Sequence, residues 1–235
     1  MSPARAAFQH PTFPDLAFVF YGAQYVIIDA RLTGRNRNIL FGPRSIRLDW
    51  PALAQAGFST NVDAVLPNPH DKTTAYFFSG SKWALLRVSP PGSPQSALLV
   101  DGVKDFKDWK SLKEAQFNHI DAVLPITVGS DPNWAYIFSG DNYVSIQIDP
   151  VNGSRGNVRS IADQWGSLNK LGFGRSLDTI LPVPGRPHEA YFFKGAKVSR
   201  IGNIIHNNWD DTPLDGDSAQ AVVSNWPALH DAQFY

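Results

Sequence analysis

Cysteine is absent from these 235 residues, which excludes disulfides, thiolate zinc sites and cysteine nucleophiles. Glutamate is scarce: only Glu114 and Glu189 occur, so any acid–base pair would have to draw on aspartate. Neither sign of charge predominates, with 21 basic and 21 acidic residues, so no basic footprint suggests a nucleic-acid partner. No run approaches the roughly 20 apolar residues a membrane helix needs. The opening MSPARAAFQHPTFP holds no apolar stretch of signal-peptide length, and a cytoplasmic location is the simplest expectation. His-Glu-x-x-His, Gly-x-Ser-x-Gly and phosphate-cradling glycine loops are all missing. The acidic run from Asp210 to Asp217 fails the EF-hand spacing, because Val222 stands where the bidentate glutamate belongs. It reads as a solvated turn.

What is present is a period. Trp-x-x-Leu-x-x-x-x-Phe recurs as Trp50/Leu53/Phe58, Trp109/Leu112/Phe117, Trp165/Leu168/Phe173 and Trp226/Leu229/Phe234. The tryptophans lie 59, 56 and 61 residues apart, and passing from Tyr235 back to Met1 the next interval, (235 − 226) + 50, is again 59. A repeat that closes across the chain ends describes a ring.

Each unit opens with a short apolar strand carrying an acid: Val62-Asp63-Ala64-Val65-Leu66, Ile120-Asp121-Ala122-Val123-Leu124, Leu177-Asp178-Thr179-Ile180-Leu181. A proline follows each time (Pro67, Pro125, Pro182) and is expected to end the run, having no N–H for a ladder. An aromatic strand and a turn glycine come next, as in Tyr76-Phe77-Phe78-Ser79-Gly80, then a third strand and, past a Gly/Pro/Asn-rich turn, a brief fourth such as Leu98-Leu99-Val100. Four antiparallel strands in each of four units is a propeller count. In the first unit, counting back 17 residues from Gly22, as from Gly80 to Asp63, lands on Arg5. The N-terminus therefore supplies the innermost strand of its own blade, with Arg5 in the slot the other units give to aspartate.

The Trp motif is expected on a short helix, with Pro51 and Pro227 in the first turn. With Gly57 as a left-handed stop, Leu53 and Phe58 fall where a Schellman ending brings two apolar residues together. Units two and four carry Gln116 and Gln233 at that stop, which should be less comfortable.

The four-fold pattern resembles the hemopexin repeat, and most closely the hemopexin-fold seed albumins of legumes. The Asp-Ala openings, the Tyr-Phe-Phe-x-Gly hairpins, Leu40-Phe41-Gly42-Pro43 and the stretch from Leu99-Val100-Asp101-Gly102-Val103 to Trp109-Lys110-Ser111-Leu112 carry the likeness. The resemblance implies an all-β four-bladed propeller over 1–235, with blades at about 1–58, 59–117, 118–173 and 174–235. It also implies a central channel where backbone carbonyls hold calcium or sodium; carried over, those positions are Arg5, Asp63, Asp121 and Asp178 with their neighbours Ala6, Ala64, Ala122 and Thr179. An inward guanidinium at Arg5 would repel such an ion. The simpler role for the acids is to hold strand starts through backbone hydrogen bonds.

If the inner strands run parallel, the loops joining first and second strands share one face. Those loops are 9–14, 68–72, 127–134 and 183–188, and they gather His10, Phe13, His70, Trp134, Arg186 and His188 around one channel mouth. Two readings follow: a cup for a small molecule, or ordinary polar loops. Haem ligation by a His pair is a weaker variant of the first, since no spacing fixes two imidazoles opposite each other. His119, beside Asp121, is expected to be packed and hydrogen-bonded, and His206 lies near the outer rim. The repeat tryptophans could be sugar-stacking platforms, but packing helices on blades suits them better; Trp83, Trp134 and Trp209 are the candidates for exposed aromatics. The first functional expectation is a non-enzymatic binder of a haem-like, polyamine or glycan ligand, in the storage, stress or defence role the resemblance implies. The second is an enzyme that cyclises an apolar substrate in the channel-mouth cup, which a deep apolar pocket would favour. The third is a protein-binding propeller.

Overall fold

The computed structural model describes residues 5–31, 38–90, 93, 95, 99–126, 133–205 and 211–235. Near-continuous runs of aromatic and β-branched residues, such as Leu16–Tyr21 and Thr74–Ser79, build four antiparallel sheets. Blade one is β1 (Arg5–Gln9), β2 (Leu16–Tyr21), β3 (Gln24–Asp29) and β4 (Ile39–Ser45) in that spatial order. Blade two is β5 (Ala64–Pro67), β6 (Thr74–Ser79), β7 (Lys82–Arg87) and β8 (Leu99–Asp105). Blade three is β9 (Ala122–Ile126), β10 (Trp134–Ser139), β11 (Asn142–Gln147) and the two-residue β12 (Arg159–Ser160). In blade four, β13 (Thr179–Val183), β14 (Arg186–Lys194) and β15 (Lys197–Gly202) carry both β16 (Thr212–Pro213) and β17 (Gln220–Ala221) on their outer edge.

The prolines do not all end their strands. Pro67 closes β5, but β9 and β13 continue through Pro125 and Pro182, which stay paired with Ala135 and Ala190. An inner strand bonds to one neighbour only, and edge strands are where sheets tolerate proline.

Period-two alternation gives each blade two apolar faces, and each face is buried against a different neighbour. Phe8, Phe18 and Phe20 pack with Val65 and Phe77 of blade two. Leu66 and Phe78 pack with Val123 and Ile137 of blade three, and Leu124 and Phe138 with Ile180 and Phe192 of blade four. The last cluster joins Leu181, Tyr191 and Phe193 of blade four to Ala7, Val19 and Val26 of blade one. The inner strands touch in the same cyclic order, β1 with β5, β5 with β9, β9 with β13, and β13 with β1. The ring is closed.

Two short helices, rather than one, follow each blade, and the repeat tryptophan sits between them. Trp50 separates α1 (Ile46–Asp49) from α2 (Pro51–Ala56), and Trp109 separates a 3-10 turn at Phe106–Asp108 from α3 (Lys110–Ala115). Trp165 lies between α4 (Ile161–Gln164) and α5 (Gly166–Lys170), and Trp226 between α6 (Val222–Asn225) and α7 (Pro227–Asp231). Non-helical backbone at the break (φ −122°, ψ 71° at Trp50) turns the indole inward, onto Phe18, Phe20, Tyr25 and, across the blade boundary, Phe77. All four indoles are buried, so they are core and unavailable for stacking on a sugar. Trp83 is buried too, against Tyr76 and Trp109 with its Nε1 donating to the Asp105 carbonyl (3.1 Å), which corrects the expectation that it would be exposed. Leu98, His206 and Trp209 lie outside the described residues, as does most of the third channel-mouth loop, 127–132. No described helix is long and apolar enough to cross a membrane.

Candidate functional site

The inner strands are in register by residue. Their first positions are Arg5, Asp63, Asp121 and Asp178, their third Ala7, Val65, Val123 and Ile180, and their fifth Gln9, Pro67, Pro125 and Pro182. The two ends of the channel therefore differ in chemistry.

At the end beside the hairpin turns, each aspartate accepts the N–H of its own blade's turn glycine: Gly80 to Asp63 (2.5 Å), Gly140 to Asp121 (2.7 Å) and Gly195 to Asp178 (2.8 Å). These carboxylates hold strand starts, the simpler of the two roles. Burial pushes the Asp63 and Asp178 carboxyls up, against the pull of those N–H groups. Arg5 completes the ring differently. Its Nε donates to the Phe234 carbonyl (2.7 Å), its Nη1 reaches Asp178 (3.2 Å), and its guanidinium lies 4.7 and 4.5 Å from the Tyr21 and Tyr235 rings. No group of three His, Asp or Glu side chains able to hold a metal occurs among the described residues. With three carboxylates engaged and a guanidinium in the fourth place, the side chains here do not fit a cation. His119 stands nearby but is exposed, which corrects the expected packing; it does bond, to Asn118 (2.7 Å), and lies 3.5 Å from Asp121.

The opposite end opens into a cavity of about 420 Å³. Third- and fifth-position residues from all four blades line it, with His10, Pro11 and Pro14 from the first loop, Asn68, Pro69 and Lys72 from the second, and Ile148 after β11. Ala7 stands where the other blades have Val65, Val123 and Ile180, so the packing at this level is thinnest on the blade-one side.

Of the six residues expected at this mouth, His10 alone lines the cavity among the described residues. Its Nδ1 accepts the N–H groups of Thr12 (3.1 Å) and Phe13 (3.2 Å), which leaves Nε2 protonated to donate to the Ser89 carbonyl (3.1 Å). Burial lowers its pKa. The ring is neutral, with both nitrogens hydrogen-bonded within the protein. Phe13 is exposed and meets His10 edge-on at 5.0 Å. The rest stand apart. His70 is exposed beside Asn68; Trp134, half-buried, opens β10 on the blade three–four core; Arg186, exposed, faces Glu189 at 3.9 Å; His188 donates through Nδ1 to the Ile204 carbonyl (3.1 Å) within blade four. Sequence reasoning missed the prolines as a lining, the small Ala7, and Lys72. Ala7 against Val65, Val123 and Ile180 was a readable asymmetry; Lys72 carried no spacing signal.

No family model matches the chain. Albumin-2 of Pisum sativum is 26% identical over 216 residues, covering 91% of this chain and 89% of that protein. Among solved structures, a 2S albumin seed protein from Dolichos superposes with a TM-score of 0.84 at 26% identity, covering 98% of this chain and 99% of that one. The hemopexin-fold protein CP4 from cow pea gives 0.84 at 25%, covering 98% of each chain. A plant lectin with two metal binding sites from Cicer arietinum gives 0.83 at 25%, covering 96% of each. The chain is a four-bladed β-propeller of hemopexin type. Over nearly its whole length it resembles the hemopexin-fold seed albumins of legumes.

Proposed function

We propose that the channel-mouth cavity binds a small organic molecule and that the protein acts as a carrier or store of it, in the storage, stress or defence setting of the seed albumins it resembles. The observation that carries this reading is the apolar cup of about 420 Å³ to which all four blades contribute. Small-molecule sites fall at about 300–1,000 Å³ and are mostly apolar with few polar anchors. Proline at Pro11, Pro14, Pro67, Pro69, Pro125 and Pro182 stiffens the rim, which reduces the ordering cost of binding.

The lining also sorts the ligand classes. A polyamine finds no carboxylate among the described lining residues, a haem finds no free imidazole on His10, and a glycan finds few polar partners. Calcium or sodium on the carbonyls of Arg5, Asp63, Asp121 and Asp178 is a poorer fit, because the fixed charge of Arg5 stands in that ring. The apolar cup equally favours the second reading, cyclisation of an apolar substrate by positioning, though His10 has no nitrogen free for proton transfer.

Thermal-shift measurements on a panel of aliphatic and aromatic compounds test the proposal against the variant Ala7→Val, which installs the residue of blades two and three. A true ligand at a hundred times its Kd stabilises the wild type by about 2.7 kcal/mol and the variant much less. A panel without any hit, or hits that A7V leaves untouched, would remove the cup as the site. Conversion of a bound compound to a cyclised product would favour the second reading.

A further inference from the structure

The charge of the cup points to the class of molecule it takes. Among the described lining residues Lys72 is the one formally charged side chain, since His10 is held neutral by the two N–H groups on its Nδ1. Lys72 is exposed at the rim and makes no ion pair with a described residue. Two acids adjacent in sequence to lining residues are engaged elsewhere: Asp71 accepts from the Thr73 N–H and hydroxyl, and Asp149, next to Ile148, accepts from the Val151 and Asn152 N–H groups. Asn68 is likewise occupied, donating to Thr74 and accepting from His70. Gln9, at the end of β1, is the lining side-chain amide with both donors to spare, making no hydrogen bond to a described residue. The cup thus combines an apolar, proline-rimmed body with one cation and one amide.

We infer that the ligand is a monoanionic amphiphile: an aliphatic or aromatic body seated among the prolines, with a single carboxylate-type head that accepts from Lys72 and Gln9. This rests on the small-ligand reading above and adds the sign of the charge, opposite to what a polyamine site would need. An apolar body supplies most of the binding through area removed from water, and the head fixes orientation.

Calorimetric titration with three probes of one chain length separates the terms: decanoate, decanol and decylammonium, each against wild type, Lys72→Met, Lys72→Glu and Ala7→Val. Decanoate is expected to bind about five-fold more tightly than decanol, the scale of a solvent-accessible ion pair. K72M should erase that difference, K72E should shift preference to decylammonium, and A7V should weaken all three. Decanol binding that is lost in A7V with no preference for decanoate overturns the charge assignment and leaves the cup standing. Absence of binding by all three overturns both. Tighter binding of decylammonium to the wild type reverses the sign and also overturns the inference.

Discussion

The His10 imidazole is buried beside Phe18, with ring centroids 5.8 Å apart, and both its nitrogens are used inside the first loop and its neighbour. A histidine on a turn-rich segment reads as a ligand when only its position is known. Which atoms face its nitrogens is a tertiary fact, since the Ser89 carbonyl is 79 residues away in sequence. Burial lowers the folded-state pKa from the ordinary 6.5, so below 6.5 the unfolded chain binds the extra proton first. The stability this histidine contributes is therefore present above pH 6.5 and lost as pH falls through the folded value. Unfolding by urea should show stability declining between pH 7.5 and 5, with a shallower decline in His10→Gln. Asp63 and Asp178 carry the opposite sign, their folded values being raised, but they are common to both proteins and drop out of the comparison. Equal slopes for the two proteins would mean that His10 is not held neutral.

At the scale of elements, the Leu–Phe spacing of five turns out to be a hydrogen-bonding pattern. The N–H groups of Phe58, Phe117, Phe173 and Phe234 each reach the carbonyl of the leucine five residues earlier, at 2.8, 3.4, 2.7 and 2.8 Å. The residue between must be left-handed: Gly57 and Gly172 have φ of 78° and 77°, and Gln116 and Gln233 are held at 59° and 63°. A side chain in that conformation costs about 1 kcal/mol. Gln116→Gly and Gln233→Gly should each stabilise the fold by about that amount, less the glycine's greater unfolded-state entropy, while Gly57→Ala should destabilise it by about 1 kcal/mol or more. Chemical denaturation decides it, and a loss of stability in both Gln→Gly variants would show that these stops are unstrained. This ending was legible because it is local, written in six consecutive residues. The helical turn preceding each tryptophan was not, since segments such as Ile46–Asp49 have only four residues and no periodicity to read. The strands running through Pro125 and Pro182 were hidden for another reason: proline stops a ladder only where its nitrogen faces a partner.

The whole molecule is a ring whose two ends belong to one joint. The four-fold repeat and the slot of Arg5 made that closure readable, because the tryptophan interval across the chain ends matches the others. The task of Arg5 was unreadable in sequence, as its partners Phe234 and Tyr235 lie at the far end of the chain. The cavity was legible only in outline. Parallel inner strands placed the mouth on the face where the cavity opens, but side-chain direction and blade packing sent His70, His188 and Arg186 away from it and brought prolines in their place. Closure also explains why the cup exists, since residues of the first and last blades, Ala7 and Ile180 among them, line it together.

A double-mutant cycle between Arg5→Ala and deletion of Tyr235, read by urea unfolding at neutral pH, tests that closure most directly. Arg5 and Tyr235 stack across the whole length of the chain with 4.5 Å between guanidinium and ring centre. Residues in contact couple by about 0.5–3 kcal/mol, whereas distant ones add within about 0.5 kcal/mol. A closed ring predicts a coupling of about 1 kcal/mol or more; strict additivity would mean that the two ends do not meet.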